Sequence, residues 1–201
     1  MITLSDGEFV YTAKVGTNAD LFPDILKIYF NAGDTIADVT YGRGVFWRNV
    51  DVDRYNLLAT DINDGVDLRS LPYEDGSVDG VVLDPPYAHS SPAKLKDCMA
   101  QRYNLNSVSG LDEVHALYLD GMVESSRVLK KKGVLVLKCQ DEVVSGKQRW
   151  NHILYIEFGS KKGFIAEDLF VLVQKGKPTM RHKYQVHARK NHSYFLVFRK
   201  K

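Results

Sequence analysis

An apolar run that ends on an acid and two prolines is the feature of this sequence that most limits its fold. Val78 to Asp84 reads VDGVVLD, and Pro85, Pro86 and Tyr87 follow directly. A nearly continuous apolar run of this length is typical of a strand at the centre of a sheet that is covered on both faces. Proline has no backbone N–H to give to a neighbouring strand, so the strand is expected to end there. The pattern favours a parallel sheet between layers of helices.

The other apolar segments alternate between strand-like and helix-like spacing, as in α/β folds. Strands are predicted for residues 35–40, 56–63, 134–140, 167–174 and 193–200. Helices are predicted for residues 18–30, 111–129 and 149–164. Asn18 is the expected N-cap of the first helix, the KKKG segment is expected to end the second, and Trp150 is expected in the core.

The length and composition are those of one ordinary globular domain. The chain has 201 residues, of which 44% are hydrophobic and 26% charged, so we expect a single domain over residues 1–201. It has no apolar run of about 18 residues and no secretory leader, so we expect a cytoplasmic protein that does not enter a membrane. Its two cysteines, Cys98 and Cys139, form no CxxC pair and are interpreted as free thiols, and no metal site is expected.

A glycine turn after the strand at residues 35–40 predicts a nucleotide site. Gly42 and Gly44 flank Arg43, and glycine lets a backbone approach a ligand closely. Asp61 ends the next apolar strand, where nucleotide-binding α/β proteins place a carboxylate on ribose hydroxyls. Trp47 stands where the third glycine of a dinucleotide motif would be. The pattern therefore favours adenosine rather than a dinucleotide.

The residues after the central strand suit the binding of a planar amino group. A nucleobase or carboxamide nitrogen is a poor nucleophile because its lone pair is delocalised. Asp84 and the Pro85 carbonyl can accept its two N–H hydrogens, while the prolines offer no competing donor. Tyr87 adds a ring on which a planar group can stack. As a bare pattern, the four residues also fit a simple turn at the end of a strand.

Together, DVTYGRG at 38–44 and DPPY at 84–87 resemble the S-adenosylmethionine-dependent amino-methyltransferases that act on adenine N6 or cytosine N4 of nucleic acids. The resemblance implies a Rossmann-like class I methyltransferase fold, with a seven-stranded, mostly parallel sheet and an antiparallel last strand. It implies S-adenosylmethionine as cofactor and methyl transfer to an exocyclic amine. An aspartate at position 84 is commoner in the adenine enzymes, so adenine N6 in DNA is the first expectation.

Carried over position by position, the resemblance implies two sets of site residues. The catalytic set is Asp84, Pro85, Pro86 and Tyr87. The cofactor-binding set is Thr17, Asn18, Asp38, Thr40, Tyr41, Gly42, Gly44, Asp61, Ile62, Asp67, Leu68 and Asp84. The sequence departs from the family at Thr40, where phenylalanine is common, and at Arg43, where a small residue is usual.

A separate target-recognition domain is not visible, so substrate contacts are expected from loops. Residues 175–201 hold nine of the 27 Lys and Arg residues and none of the 25 Asp and Glu, which suits a polyanion. The loops 89–109 and 175–192 and the segment 145–150 are the expected surface. Its candidate nucleic-acid-binding residues are Lys94, Lys147, Arg149, Arg181, Lys183, Tyr184, Arg189 and Lys190. The expected partner is DNA, with a homodimer or another protein as a further source of target recognition.

Several alternatives remain open at this stage. The same residues resemble RNA methyltransferases acting on guanine N2 or adenine N6, DNA cytosine-N4 enzymes and protein glutamine methylases. A catalytically silent subunit that binds S-adenosylmethionine or nucleic acid is a rival from another class. Cys139 invites comparison with the nucleophile of pyrimidine C5 methylation, but Tyr87 stands where those enzymes have a second cysteine. Cys139 is therefore interpreted as structural.

Overall fold

The computed structural model describes residues 9–86, 111–144, 146–176 and 184–201. Its helices and strands are β1 (Ala13–Val15), α1 (Asn18–Tyr29), β2 (Thr35–Asp38), β3 (Asn56–Ala59), β4 (Val78–Leu83), α2 (Leu111–Val128), β5 (Leu129–Cys139), β6 (Glu142–Val144), β7 (Lys147–Arg149), α3 (Asn151–Lys161), β8 (Phe164–Val173) and β9 (His192–Lys200). Short 3-10 helices occupy Val45–Asn49, Val52–Arg54 and Ile62–Asp64. Within the described part of the chain, no helix is both long and apolar enough to cross a bilayer.

Seven of the strands form one sheet in the order β1-β8-β9-β5-β4-β2-β3. The last strand, β9, is antiparallel to both of its neighbours, and the other pairs are parallel. This arrangement confirms the predicted α/β class, the mostly parallel sheet and the antiparallel last strand. β1 at one edge of the sheet and the β6–β7 hairpin were not predicted, because runs of three residues carry too little periodic signal.

Helices cover the sheet on both faces, as the apolar run of β4 predicts. Val82 packs into a core with α1 and the 3-10 helix that holds Phe46. Val81 points the other way, into a core with α2 and α3. Because neighbouring residues of a strand face opposite sides, a strand buried on both sides must be apolar at successive positions. This explains why the sequence of β4 does not alternate.

The beginning of α1 corrects the predicted N-cap. Thr17, not Asn18, is the N-cap residue, and Asn18 is the first residue of the helix. The amide and the hydroxyl of Thr17 both donate to the Asp20 carboxylate, at 2.8 Å each. The hydrogen bond from the Thr17 amide holds the pKa of Asp20 below its ordinary value. Both residues are compatible with a cap by type, and only the backbone geometry distinguishes them.

Two further predictions from local pattern are wrong. The KKKG segment, residues 130–133, does not end α2 but belongs to β5, with Lys132 at a positive φ of 65° where the register of β5 against β4 shifts. Trp150, expected in the core, precedes α3 and keeps 55% of its surface exposed. For the KKKG segment, the pairing of β5 with strands distant in the sequence overrides the local signal.

Replacing Gly80 by alanine is expected to destabilise the fold by about 1–3 kcal/mol through overpacking. A Cβ at this position in β4 would lie 2.2 Å from Cε1 of Phe30, a ring that is itself buried in the core. Gly176→Ala is the matched control, since nothing lies within 4 Å of its Cβ position. Urea unfolding curves of both variants check the prediction, and equal midpoints would contradict it.

Candidate active site

Acidic side chains collect where the parallel strands end. Asp38 is the last residue of β2, Asp84 follows β4, and Asp61 lies just after β3. Since β2 is parallel to both β3 and β4, these strand ends open on one edge of the sheet. The three aspartates singled out in the sequence therefore lie along the same edge.

Thr40 connects two of these aspartates. Its backbone N–H donates to Oδ1 of Asp38 at 3.1 Å, and its hydroxyl accepts a hydrogen bond from the Asp84 backbone N–H at 2.8 Å. A phenylalanine, common at this position in the resembled family, could not make the second bond. The departure at Thr40 thus has a structural role: it joins the β2 turn to the start of the Asp-Pro-Pro segment.

Asp38 is buried and holds its proton unusually tightly. The indole Nε1 of Trp47 donates to Oδ2 of Asp38 at 2.7 Å. Burial raises the pKa of Asp38 to about 7, and the negative charge of Asp84 adds to the rise, although the bonds from Trp47 and Thr40 oppose it. The role of Trp47 was not predicted, because the residue was noted only as a missing glycine.

The stability of the ligand-free protein is expected to fall between about pH 4 and pH 7 because of Asp38. Unfolded, this carboxyl loses its proton near the ordinary pKa of 3.8, but folded it keeps the proton up to about 7. In that window the unfolded state binds fewer protons, so the free energy of unfolding decreases as pH rises. Asp38→Asn should lack this component. Urea unfolding of both proteins from pH 4.5 to 7.5 measures the difference, and a pH-independent difference would contradict the assignment.

The glycine turn has the backbone geometry expected of it. Gly42 and Gly44 have φ values of 54° and 61°, in the left-handed region that favours glycine. A Cβ on Gly44 would meet the Tyr41 hydroxyl at 2.6 Å, and one on Gly42 would lie 4.0 Å from Oδ2 of Asp61. The turn and Asp61 are therefore neighbours.

Asp61 is held in place by the turn that follows it. It is only 4% exposed, and its Oδ1 accepts from the Asn63 backbone N–H at 2.9 Å and from the Asn63 side chain. As N-cap of the 3-10 helix Ile62–Asp64, it also sets the position of Ile62. Its carboxylate thus has the fixed orientation that binding ribose hydroxyls would require.

Asp67 and Leu68, the next predicted cofactor contacts, differ in how far their side chains are exposed. Asp67 is paired with the Arg69 guanidinium, whose hydrogen bonds lower the pKa of Asp67. The Leu68 side chain is completely buried, in contact range of Gly121 of α2. Leu68 can therefore meet a cofactor through its backbone, and its side chain belongs to the core.

Thr17 and Asn18 also lie at the carboxyl ends of the strands, but next to the outermost strand, β1. They follow β1, which is parallel to β8, and β8 runs in the direction of β5 because both are antiparallel to β9. The Asn49 side chain donates to Oδ1 of Asp20 at 3.4 Å, which connects the start of α1 to the segment after the glycine turn.

Asp84 forms an ion pair that the sequence analysis missed. The Lys138 ammonium lies 3.2 Å from Oδ2 of Asp84, and the lysine is only 7% exposed. Its Nζ also lies 5.4 Å from the ring centre of Phe46 and 5.9 Å from that of Phe195, within the range of cation–π contacts. A lysine inside the apolar run VLVLKC is the signal that could have indicated it, because a lysine is rarely buried without a partner.

The Pro85 carbonyl is oriented by a second missed residue. The buried Tyr118 hydroxyl lies 3.2 Å from the Pro85 oxygen and 3.2 Å from the Lys138 backbone oxygen, and the Tyr118 ring stacks on Tyr155. A carbonyl oxygen has two lone pairs, so Pro85 retains one for another donor. Asp84, Pro85 and Pro86 are thus placed at the edge of the sheet, whereas Tyr87 lies outside the described residues.

The predicted nucleic-acid residues are brought together only in part. Lys147 and Arg149 are exposed on β7. Lys190 contacts the same strand, because its Nζ lies 2.7 Å from Oε1 of Gln148. Tyr184 is 77% exposed, and Arg189 is partly buried. Lys94, Arg181 and Lys183 lie outside the described residues.

Cys139 has the environment of a structural thiol. It is 1% exposed, and burial raises its pKa well above the ordinary value, with the charge of Asp141 adding to the rise. A nucleophilic cysteine needs accessible thiolate. The structure thus supports the interpretation that Cys139 is not a nucleophile.

No family model and no curated protein sequence matches the chain. Among solved structures, a SAM-dependent methyltransferase from Methanosarcina mazei has a TM-score of 0.53 at 14% identity, over 88% of this chain and 96% of that one. TrmN from Thermus thermophilus has a TM-score of 0.54 at 15% identity, over 90% of this chain and 48% of that one. The fold is therefore that of S-adenosylmethionine-dependent methyltransferases.

A third similar structure, named as a DNA modification methylase from Thermus thermophilus and complexed with S-adenosyl-L-methionine, has a TM-score of 0.46 at 21% identity. The match covers 67% of this chain and 53% of that one. The matched part of this chain thus spans about half the length of that methylase.

Proposed function

We propose that this protein transfers a methyl group from S-adenosylmethionine to an exocyclic amino group of a nucleobase in DNA, with adenine N6 as the first target. One observation carries the proposal: Asp84 and the Pro85 carbonyl lie at the sheet edge that also holds the glycine turn and Asp61. An acceptor pair for an amine thus adjoins a candidate nucleotide site, on a methyltransferase fold.

The residues at this edge fit the proposed cofactor. Asp61 suits the ribose hydroxyls, the turn at Gly42 and Gly44 suits the methionine part, and Thr17 and Asn18 suit its amino-acid end. When bound, S-adenosylmethionine supplies an electrophilic methyl group on a positively charged sulfur. Asp38 is buried beside the turn, where its pKa is raised. The positive charge of the bound cofactor would lower this pKa and favour the ionised carboxylate.

Asp84 and Pro85 prepare the amine in this proposal. Oδ2 of Asp84 is engaged by Lys138, and in this proposal Oδ1 accepts one N–H of the target amine. The Pro85 carbonyl accepts the other through its remaining lone pair. Both bonds draw the hydrogens into the plane of the acceptors and increase the electron density on nitrogen. The amine needs no prior deprotonation, because its proton can leave after methyl transfer.

Nucleic acid is the substrate class that the charges favour. The exposed cations Lys147 and Arg149 lie on the hairpin that begins just past the carboxyl end of β5, and Lys190 contacts Gln148 of the same hairpin. Cations beside an amine-binding edge suit phosphates on either side of a target base. In a duplex the base would have to leave the stack to reach Asp84.

Mass spectrometry of nucleosides tests the proposal. The protein is incubated with isotopically labelled S-adenosylmethionine and separate pools of DNA, RNA and unmodified cell protein, with Asp84→Asn as the matched variant. Labelled N6-methyladenine in DNA, absent with the variant, is the expected result. Label in cytosine N4 would change the proposed target base from adenine to cytosine. Label only in RNA would change the proposed substrate from DNA to RNA. Label only in protein, or none despite cofactor binding by calorimetry, would overturn the proposal.

A further inference from the structure

Trp150 is an exposed indole close to the carboxyl end of β5. The chain has two tryptophans, and Trp47 is 4% exposed, whereas Trp150 is 55% exposed. Trp150 lies between β7 and α3, and the β6–β7 hairpin begins three residues after Cys139, where β5 ends. Because Lys138 of β5 contacts Asp84, the hairpin leaves the sheet close to the amine-binding residues.

The indole rests on a rigid polar support. It packs edge-on against the ring of His152, with 6.2 Å between the ring centres and 89° between the planes. Nδ1 of His152 lies 2.7 Å from Oδ1 of Asp141, a completely buried carboxylate that also accepts from the Tyr194 hydroxyl at 3.3 Å. A fixed ring costs little conformational entropy when a ligand stacks on it.

One positive charge lies beside this ring, and two more are exposed on the same hairpin. The Nζ of Lys190 lies 5.9 Å from the Trp150 ring centre, and its bond to Gln148 holds it over the hairpin. Lys147 and Arg149 are exposed on the adjoining strand. Protein interfaces are depleted of lysine at their cores, so this setting favours a polyanion over a protein partner.

We propose that Trp150 is a stacking platform for an unpaired base of the substrate strand, next to the base that is methylated, while Lys147, Arg149 and Lys190 contact its phosphates. The inference rests on the proposed nucleic-acid substrate and specifies its form. An exposed ring among cations is the usual arrangement for binding single strands without sequence readout. A base in a duplex keeps its faces covered by its neighbours, so a single-stranded or locally opened substrate is expected to bind better.

Tryptophan fluorescence tests this directly, because Trp47 is buried and Trp150 is the exposed emitter. A single-stranded oligonucleotide is expected to quench the emission saturably, and an abasic oligonucleotide of the same length is expected to quench far less. Trp150→Ala should weaken binding of the single strand about tenfold or more and raise KM more than it lowers kcat, with cofactor affinity retained. Ile153→Ala, which also removes an exposed apolar side chain, at 46% exposure, is the matched control and should bind normally.

Each other outcome overturns the inference. Equal quenching by abasic and base-containing strands would mean that charge alone binds the strand. Methylation of nucleic acid without quenching would remove the role of Trp150 but leave the proposed function intact. If nucleic acid is neither bound nor methylated, both proposals fail. A dimer in gel filtration that dissociates in Trp150→Ala would assign this face to protein association instead.

Discussion

Asp84→Asn is expected to be nearly as inactive as Asp84→Ala, with kcat lower by about 10²–10³-fold, as for the loss of a catalytic hydrogen-bonding group. Asparagine keeps the shape of the side chain and one acceptor oxygen, so its failure is not obvious from size. The reason is Lys138, whose ammonium lies 3.2 Å from Oδ2 and requires an acceptor. The amide oxygen is expected to turn to Lys138, which leaves an NH₂ group facing the target amine, where two donors oppose each other.

A double variant tests this explanation. In Asp84→Asn/Lys138→Met the amide is free to rotate, so its oxygen can face the amine and recover part of the rate. The expected gain over Asp84→Asn alone is about tenfold, the value of one hydrogen bond. Single-turnover rates with saturating cofactor measure it. A double variant no faster than Asp84→Asn would show that Lys138 does not dictate the orientation of residue 84.

The main parts of the site were accessible from sequence because topology alone brings them together. Asp38 and Asp84 each close an apolar strand, and parallel strands present such ends at one edge. Asp61 needed one more step, since β3 ends at Ala59 and the aspartate is positioned by the following turn. For these residues, the order of strands along the chain was enough to predict where they lie.

The residues that orient the groups of the candidate site could not be predicted from the order of the strands. Lys138, Tyr118 and Trp47 act through contacts with groups on other elements, which no local pattern encodes. Trp150 was misassigned because a large aromatic side chain is buried more often than not, and only the hairpin geometry places it outside the core. The sequence thus predicted the end of the sheet that carries the candidate site, whereas the side chains that orient its groups became visible only in the packed structure.

Stability is expected to separate the roles of Asp84 and Lys138. Asp84→Ala leaves the Lys138 ammonium without this carboxylate in a nearly buried position, and the expected cost is about 3 kcal/mol, the lower end of the range for a broken buried pair, because the Asp84 side chain keeps 22% of its surface exposed. Adding Lys138→Met replaces the ammonium by an apolar chain between the Phe46 and Phe195 rings, so Asp84→Ala/Lys138→Met should regain most of the lost stability.

The rate of methyl transfer should not recover in Asp84→Ala/Lys138→Met, even though its stability does. The double variant is folded but has no acceptor at position 84, so its rate should stay as low as that of Asp84→Ala. Urea unfolding and single-turnover assays of the same preparations give both quantities. If stability and rate recovered together, inactivity of Asp84→Ala would reflect unfolding rather than the loss of an acceptor. If neither recovered, the buried ammonium would not be the cause of the instability, and the ion pair would contribute little to the fold.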